Sequence, residues 1–285
     1  MRVYYSTSMN AENAQAYSPS ASKPAKVIAD WRAKGFDIEV KKPIPVSGKT
    51  IAQAHNPDYV QGVLSGTMAN GFGNKDEDVA ASLPYTVGAM VSATKYALKT
   101  GQPAAALCSG FHHAGYSSGS GFCTFNGLVI AAIEAQKAGA KKVGILDLDQ
   151  HYGNGTDNIR CHLDLHWMPH YTAGGDHKLE AESFLAGLPN LLRKKFNSCD
   201  VMIVQLGADP WINDPLGGWM TMEQMERRDR IVFETFKQMG IGVAWNLAGG
   251  YSKDANGEIT PVLQIHANSA KACIETHTKR EKKAS

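Results

Sequence analysis

The chain has 285 residues, 43% apolar and 20% charged, with 29 Lys and Arg against 27 Asp and Glu for a formal net charge of +2. This balance excludes a disordered chain, a collagen-like repeat and a coiled coil, and offers no electrostatic reason to expect a nucleic-acid partner. Glycine is the one surplus, at 28 residues, and because Gly is disfavoured inside helices and strands it points to loops with unusual backbone demands. No run reaches the ~18 apolar residues of a membrane span, and the start, Met1 to Tyr5, turns polar at Ser6 without a signal-peptide stretch. The five Cys are scattered and odd in number, as expected of reduced thiols, so the expectation is a cytoplasmic protein with no membrane partner. Without internal repeats or a low-complexity linker, residues 1–285 read as a single domain, and the basic run at 279–283 as a solvated tail.

In chain order, the first strong pattern is a helix over 84–99 behind a Ser82 cap. A strand follows over 104–108, a helix over 126–138 and a strand over 143–148. Later come a strand over 201–206, a helix over 222–239, a strand over 241–247 and a last helix near 265–276. The strands are almost continuously apolar, which marks strands buried on both faces. The expected fold class is therefore α/β, with an open, mostly parallel central sheet and helices on both faces. Ligands in such sheets bind beyond the carboxyl ends of the strands, so the chemistry belongs in the loops just after them.

Those loops read Ser109-Gly110-Phe111-His112-His113-Ala114, then Asp147-Leu148-Asp149-Gln150-His151, then Gly207-Ala208-Asp209-Pro210, then Ala248-Gly249-Gly250-Tyr251. On an extended strand end Asp149 and His151 share a face, because side chains alternate with a period of two. Joined by Asp209 from a neighbouring strand end, they form a candidate site for a divalent ion with an open coordination position. Asp147 shares that face at greater depth and suits the orientation of another side chain. For any one of these residues, a satisfied polar group at a strand end is the plain alternative; their recurrence in corresponding loops favours metal. His112 and His113 read either as one core and one exposed histidine or as a general acid and base. Tyr251, behind two glycines, is either a packed loop aromatic or a phenol that donates to an oxyanion.

Together with Gly121-Phe122-Cys123, Gly153-Asn154-Gly155 and His55-x-Pro57-x-Tyr59-Val60, these segments resemble the zinc-dependent histone deacetylase family. That superfamily includes acetylpolyamine amidohydrolases and acetoin-utilisation proteins, and its fold resembles arginase. The resemblance implies that Asp149, His151 and Asp209 bind one catalytic Zn²⁺. It implies that His112 and His113 are the acid/base pair, with Asp147 behind His112 and Asn154 behind His113, and that Tyr251 polarises the acyl carbonyl. Gly121 and Phe122 would form one wall of the substrate channel and Tyr171 the facing wall. A monovalent cation such as K⁺ would sit near the Asp147–His151 turn. The implied substrate is a small-molecule or peptide N-acyl amine, an acyl-lysine or acetylpolyamine, and a homo-oligomer could build part of the channel.

Two other readings compete. Gly115-Tyr116-Ser117-Ser118-Gly119 matches the G-x-S-x-G of a serine α/β-hydrolase, with Asp209 and His266 following in the required order. That motif needs a strand directly before the Ser and a helix directly after, whereas the expected strand ends near 108 and the next helix starts near 126. A non-catalytic acyl-lysine binding protein is the third reading; it predicts a lost ligand or a missing Tyr, and the sequence has neither. Under the deacetylase reading the glycine surplus acquires a place. Of the 28, 14 lie at 110–127, 153–155, 174–175, 207, 217–218 and 249–250, beside the proposed site residues.

Overall fold

The computed structural model of the chain describes residues 1–11, 17–175 and 180–278; the basic run at 279–283 lies outside them. Seven strands form one sheet: β1 (Arg2–Tyr4), β2 (Glu39–Lys41), β3 (Ala104–Ala106), β4 (Val143–Asp147), β5 (His170–Thr172), β6 (Val201–Gln205) and β7 (Gly242–Asn246). Their order across the sheet is β2-β1-β3-β7-β6-β4-β5, and every pairing is parallel. The expected mostly parallel sheet is thus wholly parallel.

The helices that cover it are α1 (Lys23–Ala33), α2 (Gly48–Ile51), α3 (Pro57–Leu64), α4 (Glu77–Thr100), α5 (Gly127–Lys137), α6 (Asn154–His162), α7 (Ala181–Phe196), α8 (Met222–Met239) and α9 (Thr260–Thr278). Strand residues alternate between two apolar cores. Leu146, Met202, Val204 and Trp245 pack with Trp31 of α1, Phe184 of α7, Phe233 of α8 and Ile265 of α9. Val143, Ile145, Val201 and Ile203 face Val60 of α3, Val87 of α4 and Ile130 of α5. Burial on both faces explains why the strands carry no polar alternation.

Helices α1, α2, α3, α6 and α7 have no counterpart in the sequence expectation, and α9 starts at Thr260 rather than near 265. Helix α4 begins seven residues before 84: Asp76 caps it by accepting from Val79 N at 2.9 Å, while the Ser82 hydroxyl bonds back to Val79 O. Pro84 lies inside the helix rather than opening it. Strands β1, β2 and β5 have three residues each, too few for a period to show. Among the described residues no helix is long and apolar enough to cross a membrane.

The long connection from β3 to α5 is held from beneath by His55, which is wholly buried. Its Nδ1 bonds Gly115 O at 2.9 Å and its Nε2 accepts from Asn126 N at 2.8 Å. Since Nε2 accepts, the proton must sit on Nδ1, and the ring is useful only when neutral. Burial pushes its pKa from 6.5 down to about 4. The unfolded chain therefore binds the extra proton first, and stability present above pH 6.5 drains away as pH falls towards 4. The loss amounts to about 3 kcal/mol. Urea denaturation of wild type should show this slope, and His55→Gln should be less stable at pH 7 with a flatter profile across the same window.

Candidate functional site

All four strand-end loops converge where the sheet's carboxyl edge is polar. Asp147, Gln205 and Asn246 end β4, β6 and β7 in direct register and are all fully buried. Gln205 Nε2 donates to Asp147 Oδ1 at 3.2 Å, and Asn246 Nδ2 lies 3.5 Å from both Gln205 Oε1 and Cys108 O. This strip fixes the last turn of each strand before the chain leaves the sheet. Gln205 and Asn246 escaped the sequence reading; their only signal was a polar residue near the end of an apolar run.

Just beyond the strip, Asp149, His151 and Asp209 each offer one ligand atom, all within 4.8 Å of one another. His151 Nδ1 lies 3.3 Å from Asp149 Oδ1 and 3.2 Å from Asp209 Oδ2. The other carboxylate oxygens are oriented by the backbone: Gly249 N donates to Asp149 Oδ2 at 2.9 Å and Gln150 N to Asp209 Oδ1 at 3.2 Å. Asp209 Oδ2 is buried and accepts no hydrogen bond from the described residues. Burial and the neighbouring Asp149 charge raise the Asp209 carboxyl above the ordinary carboxylate range. Two buried carboxylates that repel each other, one with an unsatisfied oxygen beside an imidazole, fit a divalent cation. Gly249 is required by close approach: a Cβ there would stand 2.2 Å from Asp209 Oδ2.

The histidines pack with ring centroids 4.0 Å apart. His112 is buried, its Nδ1 2.7 Å from Asp147 Oδ2 and its Nε2 3.6 Å from Asp149 Oδ1. Burial alone would lower its pKa, but Asp147, Asp149 and Asp209 outweigh it and raise it to about 9. His113, half-buried, has Nδ1 2.5 Å from Asn154 Oδ1, at the start of α6. Burial and the adjacent His112 lower its pKa. The expected pairings of His112 with Asp147 and of His113 with Asn154 are both present.

Tyr251 follows Ala248, whose φ is +46, and Gly250, whose φ is +132. Two buried groups that the sequence reading missed hold this turn. Lys23 of α1 is 0% exposed and donates to Ala248 O at 2.6 Å and Gly249 O at 3.3 Å. Burial drives its pKa down to about 8 against the pull of Asp209, Asp149 and Asp214. From the other side Asp214 Oδ2 accepts from Tyr251 N at 2.8 Å, Ser252 N at 3.2 Å and Ser252 Oγ at 3.0 Å. Neither role has a local sequence signal, since the turn that each one holds is more than thirty residues away. The Tyr251 phenol stays protonated, because burial and then Asp149 and Asp209 push its pKa well above 10.

Phe122 and Gly121 also lie at the site. Phe122 packs on Tyr251 with centroids 5.7 Å apart, and a Cβ on Gly121 would meet His113 Cδ2 at 2.5 Å. Tyr171 does not face them. It sits on β5 opposite Leu146, packed towards the α7 layer with the Lys195 ammonium 5.9 Å from its ring centre. Strand parity decides this: Tyr171 pairs with Leu146, one residue before the Thr172 that pairs with Asp147, so its side chain points to the opposite face of the sheet. A second aromatic that packs on Tyr251 is Tyr17, stacked at 6.3 Å and 59% exposed.

The serine-hydrolase set is not assembled. Ser117 is exposed in a loop between the end of β3 and the start of α5, without the strand–turn–helix elbow. His266 is fully buried in α9, and neither of its ring nitrogens has a hydrogen-bond partner among the described residues.

Residues 19–165 match the family described as the histone deacetylase domain, a stretch covering half of the chain. The chain belongs to this family. Among its curated relatives, an uncharacterized protein of Picosynechococcus sp. is 29% identical over 224 residues, spanning 70% of this chain and 74% of that one. The solved HD domain of HDA15 superposes with a TM-score of 0.74 at 21% identity, covering 96% of this chain and 86% of that domain. An acetylpolyamine aminohydrolase from Burkholderia pseudomallei gives 0.73 at 17% identity, covering 96% and 98%. These likenesses show a common deacetylase-type fold.

The two clamps on Tyr251 predict measurable effects. Asp214→Asn leaves N–H groups of the turn without their charged acceptor, and should lower stability by roughly 1–3 kcal/mol, or about 2–8 °C in Tm. Lys23→Met should act in the same direction by stranding the two carbonyls. Calorimetric melting of both variants against wild type checks this.

Proposed function

We propose that this member of the family is a metal-dependent amidohydrolase that removes an acetyl or acyl group from an N-acylated amine. The observation that carries the reading is the trio of Asp149, His151 and Asp209 beside two histidines with different partners. The substrate class proposed is an acyl-lysine or an acetylated polyamine, the latter matching the activity named for the Burkholderia enzyme.

Zn²⁺ bound by Asp149, His151 and Asp209 would lower the pKa of a coordinated water towards ~7 and polarise the acyl carbonyl. The protein's own groups divide the remaining work. Asn154 Oδ1 can only accept, so His113 carries its proton on Nδ1 and keeps Nε2 open to take the water proton and return it to the leaving amine. His112 bonds a carboxylate, Asp147, which favours the charged imidazolium and sets a positive group beside the developing oxyanion. Tyr251 remains a phenol and donates to that oxyanion, while Phe122 and Gly121 shape the approach.

Two measurements test the reading. The zinc-loaded enzyme, with a chelated control, is assayed on acetyl-lysine peptides, longer acyl-lysines, acetylpolyamines and other small N-acetyl amides. Hydrolysis that the chelator abolishes is expected; none across the panel would favour a non-catalytic acyl-lysine binder. Tyr251→Phe should lower kcat by about 10²–10³ with unchanged zinc content by atomic absorption. Loss of zinc in that variant would sink the phenol's assignment.

A further inference from the structure

Arg228 of α8 is 1% exposed and takes no part in the chemistry above. Its guanidinium lies behind the metal-ligand loops. Nη1 donates to Leu148 O at 3.1 Å and Nη2 lies 3.4 Å from Gly207 O, while Nε donates to Asp229 Oδ1 at 2.7 Å. Leu148 O belongs to the peptide that leads directly into Asp149, and Gly207 stands two residues before Asp209. One rigid planar group therefore joins the ends of two strands, each at the point where it presents a carboxylate. The group is itself fixed, since Asp229 Oδ2 accepts from Ser269 Oγ of α9 at 2.5 Å, and Ser269 also bonds Ile265 O. A buried Arg–Asp pair of this kind contributes little net stability compared with apolar residues of equal volume, so stability is a weak reason for its presence.

We propose that Arg228 is a positioning residue that sets the separation of the Asp149 and Asp209 carboxylates, and thereby the affinity of the site for a divalent ion. The inference rests on the metal-site reading above. It places the effect in the fork of donors, which a lysine cannot reproduce because its ammonium presents no fixed pair of N–H vectors. Groups that orient metal ligands in this indirect way typically change affinity by about 10–100-fold.

The test titrates the full-length apoprotein with Zn²⁺ against a chromophoric chelator, and with Co²⁺ followed by its visible absorption. Wild type is compared with Arg228→Lys and with the double variant Arg228→Met/Asp229→Leu. The lysine keeps a charge for Asp229; the double variant removes both buried charges, so that neither strands one partner. Expected is a tenfold or greater loss of Zn²⁺ affinity in both, with an altered Co²⁺ spectrum, while apoprotein Tm in the double variant equals or exceeds that of wild type. Wild-type affinity in either folded variant overturns the positioning role and leaves the functional reading intact. An affinity loss that only tracks lowered apoprotein Tm overturns it too. Failure of wild type to bind either ion would overturn both.

Discussion

The structure turns on the burial of four carboxylates at one end of a parallel sheet. Asp147, Asp149, Asp209 and Asp214 are each less than one-tenth exposed, and like charges removed from water are costly unless each finds partners. Most of the unusual features nearby supply those partners. Asp147 has His112 and Gln205, Asp149 has the N–H groups of His151 and Gly249, and Asp214 has the turn at Tyr251 and Ser252. Behind them stand two buried cations, Lys23 and Arg228, both bonded to carbonyls of the same loops. Asp209 is the exception: its Oδ2 has no hydrogen-bond donor among the described residues, which suits the proposed cation.

The same arrangement separates two chemically identical side chains. His112 and His113 are consecutive and their rings are in contact, yet one rests on a carboxylate and the other on a carboxamide. A charged partner favours imidazolium, a neutral acceptor only fixes the tautomer. A single difference in the backing residue, Asp147 against Asn154, thus accompanies opposite shifts in the proton affinity of adjacent rings.

Much of this was legible before the structure. Parallel strands buried on both faces leave only their ends for polar function, so apolar runs ending in Asp, His and Tyr located the four loops, and the family motifs within them assigned the pairings. What stayed hidden depends on partners remote in sequence. Lys23, Asp214 and Arg228 look like ordinary charged residues of helices and loops until the fold brings their carbonyls and amides to them. Gln205 and Asn246 look like breaks in hydrophobic runs until register aligns them with Asp147. The placement of Tyr171 on the channel failed because its parity on a three-residue strand could not be counted from the sequence. Ser82 reads as a cap in the sequence because Pro84 resembles a helix start, whereas Asp76 caps α4 and the helix accommodates Pro84 internally.

The bond between Lys23 and Ala248 O joins residues 225 apart along the chain. As the protein emerges from the ribosome, α1 is made early and must wait for β7 and the turn after it before its ammonium finds an acceptor. Until then an isolated cation and several carboxylates face a half-built sheet, with strand edges open to pairing. Nascent chains that stop short of β7 should therefore depend on chaperones until the turn at 248–251 has formed and closed over α1.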